Sequence, residues 1–393
     1  MAVTVYKGIT YARYRRFESA VPEPFVPGVS EFADNGCFCP QTESRLSSLL
    51  KEGKHKMNIE EGRLCLSVYV PDGCHGRLPV MVWIHGGAYL CGGSEDPRYS
   101  ADRLAHTGKV IVVRISYRLG VSGYLWLPEK GIANLGLKDQ QLALDWIYRN
   151  ISHFGGDPRN ITLFGQSAGA HSIAALIACS TERPLFQKAI LQSPPLGITI
   201  TPKEASKITD AFIKALGKDI YEAGIDDILA AQKAVSNMKT GMTFMPVIPD
   251  NTAIPQSVSA SGIRVVVGYN AQDSSIFVRS AIGDRLYKLF GRPMERLFTA
   301  RIFSGPVKKY LHRLRECGLQ ADGYKIYWHP KGNPLRSCHC IELPFLFGSF
   351  KDWVMADMLQ GMTEEEFETN SHILLEAWTQ FARDGYFKGG KII

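Results

Sequence analysis

The run NITLFGQSAGAHSIAAL, from Asn160 to Leu176, sets a serine between two glycines as Gly165-Gln166-Ser167-Ala168-Gly169. β-Branched and apolar residues precede it and small, helix-compatible residues follow. The serine therefore falls where a strand pattern turns into a helix pattern. Glycines on both sides permit a tight, strained turn that lifts the hydroxyl clear of the backbone. The adjoining helix N-terminus favours developing negative charge. Both properties suit a nucleophile in acyl transfer. A bare Gly-x-Ser-x-Gly also arises by chance, and the strand-turn-helix setting is what lifts this one above that background.

A second feature lies upstream. LPVMVWIHGGAYLCGG reads as a strand ending in His85-Gly86-Gly87-Ala88. Small residues in such a loop leave backbone N–H groups free to point at a substrate oxygen, as an oxyanion hole requires. Alone this is an ordinary glycine-rich turn. With the serine turn downstream, the two features support each other.

Both need a frame. Leu64 to Val70, Leu78 to Ile84, Val110 to Ile115, Ile161 to Phe164, Ala189 to Leu191, Ile263 to Val267 and Tyr324 to Trp328 read as strands. Asp139 to Arg149 has helical spacing, with Leu142, Leu144, Trp146 and Ile147 available for a buried face. Near-continuous apolar strands alternating with helices imply an α/β protein with a parallel sheet covered on both faces. Ligands in such sheets bind at the carboxyl ends of strands, which is where Ser167 falls. Residues 203–235 and 281–319 are helical and rich in polar residues, as expected of a cap above the sheet. With no clear linker or repeat, residues 1–393 read as a single domain.

Further landmarks run nearly end to end: YKGITYA near the start, then EGRLCLSVYVP, VWIHGGAY, SYRLGVSGYL, and the long block ANLGLKDQQLALDWIYRNISHFGGDPRNITLFGQSAGAHS, Ala133 to Ser172. On these residues the chain resembles the type-B carboxylesterases, the carboxylesterase and cholinesterase branch of the α/β-hydrolases. The resemblance implies the α/β-hydrolase fold: a mostly parallel central sheet, helices on both faces and a reduced helical cap. It also implies a serine carboxylesterase acting on short-chain carboxylic esters through an acyl-enzyme.

The family's residues carry over as follows. Ser167 is the nucleophile. VVVGYNAQDSSIF places Gly268 and Asn270 on the family's acid-loop pattern and Asp273 at the catalytic acid, where the family has Glu; Gln272 stands at the family's Asp. CHCIELPFLFG puts His339 at the catalytic histidine, with Glu342 and Gly348 on the same pattern. The oxyanion donors correspond to Gly87, Ala88 and Ala168, with Gly86 and Gln166 beside the substrate. Gln166 replaces the usual Glu and removes a negative charge, which implies weaker preference for cationic substrates. Of the other histidines beyond Asp273, His329 ends an expected strand and His372 sits in an expected helix. Cys338 and Cys340 flank His339, but adjacent residues of an extended loop point to opposite sides and no second pair completes a site. No metal and no cofactor are expected.

The formal net charge of +7 is scattered, so neither nucleic acid nor a membrane surface is an expected partner. The partner is a small-molecule ester, and the protein is expected to be a monomer or homodimer. MAVTVYKGITYARYRRF lacks the pattern of a signal peptide, and no apolar run approaches the roughly 18 residues of a membrane span. Nine cysteines at irregular spacings read as reduced thiols. A cytoplasmic, bacterial enzyme is expected. The family joins a Cys of C-P-Q to the Cys of E-D-C-L; here Cys39 keeps one position, Arg63 occupies the other, and Cys65 lies two residues on. Free thiols are favoured, and a Cys39–Cys65 bond stays open. The chain is short for the family, with trims between Gln41 and Glu61, between Asp273 and His339, and at the C-terminus. Amidase, deacetylase or lactonase activity is not separable at this level. The contrasting readings are a catalytically impaired paralogue and a non-catalytic cholinesterase-like binding protein.

Overall fold

The apolar runs fold as the inner strands of one sheet. In the computed structural model, which describes residues 2–28, 36–44, 46–47, 58–179, 185–236, 238, 241–248 and 262–393, the strands are β1 (Val3–Arg13), β2 (Val21–Pro22), β3 (Arg63–Pro71), β4 (Leu78–Ile84), β5 (Ile111–Ile115), β6 (Gly156–Gln166), β7 (Lys188–Gln192), β8 (Arg264–Asn270), β9 (Gln320–Ile326) and β10 (Gly390–Lys391). Among the described residues they form one sheet in the order β10-β9-β8-β7-β6-β4-β5-β3-β1-β2. Pairing is parallel from β10 to β5 and antiparallel where β3, β1 and β2 extend the far edge. The sheet is therefore mixed, and mostly parallel.

Side chains of the inner strands alternate between two buried cores, as a period of two requires. Val80, Val82 and Ile84 of β4 face one core with Val113, Leu163, Leu191 and Val267. Met81 and Trp83 face the other with Val112, Phe164, Ile190 and Val266. Burial on both faces is why these strands lack polar alternation. The expected strand at Ile161 to Phe164 is longer than its apolar stretch, because Gly156 pairs with Leu78 and draws the polar residues between into β6.

The segments 203–235 and 281–319 are helical through most of their length. Pro202–Leu216 begins in a capping box between Thr201 and Glu204, with Pro202 at its first position, and ends at Gly217 with φ 62°. Ile225–Val235 follows. The later stretch runs through Ser275–Leu286, Arg292–Phe298 and Gly305–Glu316, joined by wider π-helical turns at Tyr287–Gly291 and Thr299–Ser304. Of the region between Gln41 and Glu61, expected from the sequence to be trimmed, residues 45 and 48–57 lie outside the described residues. Among the described residues no helix is long and apolar enough to cross a membrane.

All nine cysteines are free thiols. The sulfur beside Cys65 belongs to Cys37, not Cys39: the two Sγ atoms lie 2.7 Å apart.

Candidate active site

β6 carries its chain to the carboxyl edge of the sheet and delivers Ser167 into the turn before the helix Ala168–Ala178. Ser167 takes φ 56° and ψ −122°, a conformation that costs a non-glycine residue about 1–3 kcal/mol. Ser167 N–H donates to the Gln192 carbonyl at 2.9 Å, and His171 N–H to the Ser167 carbonyl at 2.9 Å, so the strained turn is held from both sides. From Ile161 to Ile177 every residue is buried except Ser167. Gly169 cannot be larger, since a Cβ there would lie 2.0 Å from the Ile84 carbonyl oxygen. The start of the helix thus rests directly on the end of β4.

The loop leaving β4 passes over this turn. A Cβ on Gly86 would meet the Gln166 carbonyl oxygen at 2.8 Å and Ser167 Cβ at 3.2 Å. Gly87, Ala88 and Tyr89 follow with φ of 104°, 55° and 61°. Three successive positive values turn the chain sharply, and at Gly87 a Cβ would strike the Cys91 carbonyl oxygen at 2.0 Å. Among the described residues the amides of Gly87, Ala88 and Ala168 have no backbone acceptor. Behind the loop, Tyr89 Oη lies 2.8 Å from Nδ1 of buried His171 and accepts from Ser172 Oγ at 3.2 Å. Gln140 Nε2 donates to Ser172 Oγ at 3.1 Å. This buried chain of polar groups ties the loop to the serine-bearing helix.

The loop after β8 brings Asp273 beside His339. Nδ1 of His339 lies 2.8 Å from Asp273 Oδ1, with the two residues 1% and 0% exposed. Asp273 Oδ2 accepts from Asn270 N–H at 2.7 Å and from Ser193 Oγ at 3.0 Å. A carboxylate with both oxygens occupied is fixed in orientation, and it fixes the ring that it faces. The far side of the ring meets Gln166, whose Nε2 lies 3.0 Å from His339 Nε2. An amide nitrogen only donates, so Nε2 of the imidazole accepts and Nδ1 carries the proton toward Asp273. Among the described residues no hydrogen bond joins Ser167 Oγ to His339. Phe277 and Phe303 flank the ring, each with its centroid 5.1 Å from that of the imidazole.

Residues 1–289 match the family model described as the carboxylesterase family. The chain belongs to this family. It is 34% identical over 415 residues to a probable N-octanoylanthranilate hydrolase of Rhodococcus erythropolis, covering 98% of this chain and 89% of that protein. It is 33% identical over 428 residues to the para-nitrobenzyl esterase of Bacillus subtilis, covering 97% and 86%. A solved thermophilic PNB esterase superposes with a TM-score of 0.83 at 30% identity, covering 98% of this chain and 88% of that one. The protein is a carboxylic ester hydrolase with the α/β-hydrolase fold.

Several groups around the candidate site of this carboxylesterase carry no signature in its sequence. Ser193 has one faint signal, its place just past the carboxyl end of β7. Phe277 and Phe303 have none. Beneath Asp273 lies a second buried acid, Glu342, which accepts from Asn270 Nδ2 at 2.7 Å and from Gln192 Nε2 at 3.4 Å. Burial pushes its carboxyl up, and the Asn270 amide partly offsets this. Asn270 also donates to the Cys338 carbonyl at 2.9 Å, joining the loop after β8 to the loop of His339. Cys338 and Cys340 are both buried in the second core. Among the described residues no cluster of three metal-ligating side chains occurs. His312 and His372 are largely exposed and lie against Glu316 and Glu376 of their own helices. His329 faces the Pro330 carbonyl.

Proposed function

We propose that this carboxylesterase hydrolyses short-chain carboxylic esters through an acyl-enzyme on Ser167. His339 takes the serine proton at Nε2 as the hydroxyl attacks the ester carbonyl. Asp273 holds the ring by Nδ1 and stabilises the imidazolium that forms. The amides of Gly87, Ala88 and Ala168 receive the oxyanion. His339 then returns the proton to the leaving alcohol, and water, activated by the same ring, releases the acid. For Nε2 to accept from Ser167, the Gln166 amide must give up its contact with the ring.

The observation that carries this reading is the 2.8 Å contact of His339 Nδ1 with Asp273 Oδ1, on residues brought to the edge where β6 ends at the strained Ser167. The one-methylene difference from the family's Glu is compatible with it, because Asp273 reaches the ring with a normal hydrogen-bond length. The substrate is a small, largely uncharged ester. Residence in the cytoplasm belongs to the same proposal and rests on the nine free thiols.

The Rhodococcus relative, named for N-octanoylanthranilate, supports a second reading in which longer acyl groups and N-acyl bonds are also cleaved. Hydrolysis of p-nitrophenyl esters from acetate to octanoate, beside the matching anilides, separates the two. Ser167→Ala should remove all of it. An optimum at octanoate, or anilide turnover equal to ester turnover, favours the second reading. Undiminished turnover in Ser167→Ala sinks both.

A further inference from the structure

Cys37 and Cys65 stand apart from the machinery described above, with their sulfurs in direct contact. Both are 0% exposed. Their sulfurs lie 2.7 Å apart, Cys37 N–H donates to Cys65 Sγ at 3.0 Å, and Ser116 Oγ reaches the same sulfur at 3.9 Å. Cys39, which keeps the family's C-P-Q position, is buried near Asp139 and Arg118 and is not the partner.

The segment around Cys37 has a definite task. Phe38 pairs with the chain on either side of Ile59, its N–H donating to Asn58 O and its carbonyl accepting from Glu60 N–H, each at 2.9 Å. Gln41 then clamps Gly92 from both directions, Nε2 donating to its carbonyl at 2.9 Å and Oε1 accepting from its N–H at 2.8 Å. Thr42 N–H reaches the Leu90 carbonyl at 3.3 Å. Leu90 and Cys91 in turn donate to the Gly87 carbonyl, at 2.9 and 3.2 Å. A short peptide anchored by hydrogen bonds and packing therefore braces the turn from Gly87 to Gly92, and Cys37 lies at its root against β3.

We propose that Cys37 and Cys65 are a modification site: on exposure to a low-molecular-weight disulfide they close to an intramolecular disulfide that clamps this bracing segment to β3. When the bracing segment lifts from β3 and uncovers the sulfurs, which are buried while it is seated, one protein thiolate attacks the small disulfide, forming a mixed disulfide and expelling one small thiolate. The second protein thiolate attacks the protein-side sulfur of that bond and expels the other. Two protein thiols are oxidised, the small disulfide is reduced to two thiols, and the two protons pass to the departing thiolates. The contact with Cys37, followed by burial, pushes the Cys65 thiol up, so closure is slow at neutral pH and faster in mild alkali. Closing the loop between the two residues removes unfolded-state entropy and should raise the thermal midpoint by roughly 5 °C.

The test incubates folded protein with oxidised glutathione at pH 8, quenches in acid, alkylates under denaturing conditions and maps the peptides. The expected result is a peptide pair joining Cys37 to Cys65, Cys39 alkylated, and a raised thermal midpoint that a reductant reverses. Cys37→Ser and Cys65→Ala should each abolish the shift while leaving ester hydrolysis at room temperature unchanged; Cys39→Ser should keep the shift. Full alkylation of all nine cysteines, a bond from Cys65 to Cys39, or a Cys37–Cys65 bond without any change in midpoint overturns the proposal.

Discussion

The side-chain amide nitrogen of Gln166 lies 3.0 Å from Nε2 of His339, the ring atom that takes the serine proton in the proposed cycle. A carboxylate in that place would attract a proton to the ring, since an opposite charge within about 4–6 Å favours the charged form. Gln166→Glu should therefore raise the acidic apparent pKa in the kcat/KM profile by about one unit. It should also improve choline esters relative to uncharged butyrate esters. Profiles that superimpose, with the same substrate ratio, would mean that this side chain does not face the ring during turnover.

Asp273 uses both oxygens, one on His339 Nδ1 and the other on Asn270 N–H and Ser193 Oγ. Asp273→Asn offers a donor where the ring also donates and should favour the wrong tautomer. The expected loss in kcat is on the order of 10⁴-fold with little change in stability. Ser193→Ala leaves the pairing intact but loosens the carboxylate, and a loss of roughly 10-fold in kcat with unchanged KM is expected. Wild-type kcat in Asp273→Asn would remove this residue from the proposed mechanism.

The difference in legibility between these residues is physical. Ser167 is readable because its surroundings are local: a strand, two glycines and a helix N-terminus adjoin it in the chain. Asp273 and His339 are readable only as positions on a longer pattern, because their meeting is made by two loops far apart in sequence. Ser193, Phe277 and Phe303 join them purely through tertiary packing, which leaves no periodicity behind. Among the strands, the doubly buried β4 to β8 announce themselves by apolar runs. β1 does not, since Lys7, Gly8 and Thr10 interrupt it and its pairing with β3 is irregular. β10 has two residues and, among the described residues, pairs with β9 alone.

Tyr89 and His171 give a prediction about the loop from Gly87. Tyr89→Phe removes the hydroxyl between Ser172 Oγ and His171 Nδ1, leaving a buried ring nitrogen without a partner. Such a loss costs about 1–3 kcal/mol. Because Tyr89 follows Ala88 directly, the expected signature is a kcat reduced by about 10-fold at nearly constant KM, alongside a lower thermal midpoint. A destabilised variant with full kcat would confine the network to folding.

His85 and His171 are fully buried, and burial holds both at about 4, below the ordinary histidine value of 6.5. Between those values the unfolded chain binds more protons than the folded one, so acidification favours unfolding. This contribution is complete above pH 6.5 and is lost as the pH falls toward 4, at about 1 kcal/mol per pH unit for each ring. Glu342, whose buried carboxyl is pushed upward, acts in the opposite sense and offsets part of the slope. The thermal midpoint should fall steadily from pH 6.5 to 4.5, and His171→Asn should flatten that slope. A midpoint constant across the window would show that neither ring must remain neutral for folding.

The contact of Gly169 with the Ile84 carbonyl has a consequence for how such an enzyme changes over time. It joins the end of β4 to the start of the serine helix through main chain alone, so the spacing between nucleophile and loop owes little to nearby side chains. The walls around the site are drawn from elsewhere, Phe277 and Phe303 among them. Substitutions that reshape those walls can accumulate without moving the reacting atoms. New substrates are therefore reached by drift in the lining, while the main-chain joint keeps the attainable rate in reserve.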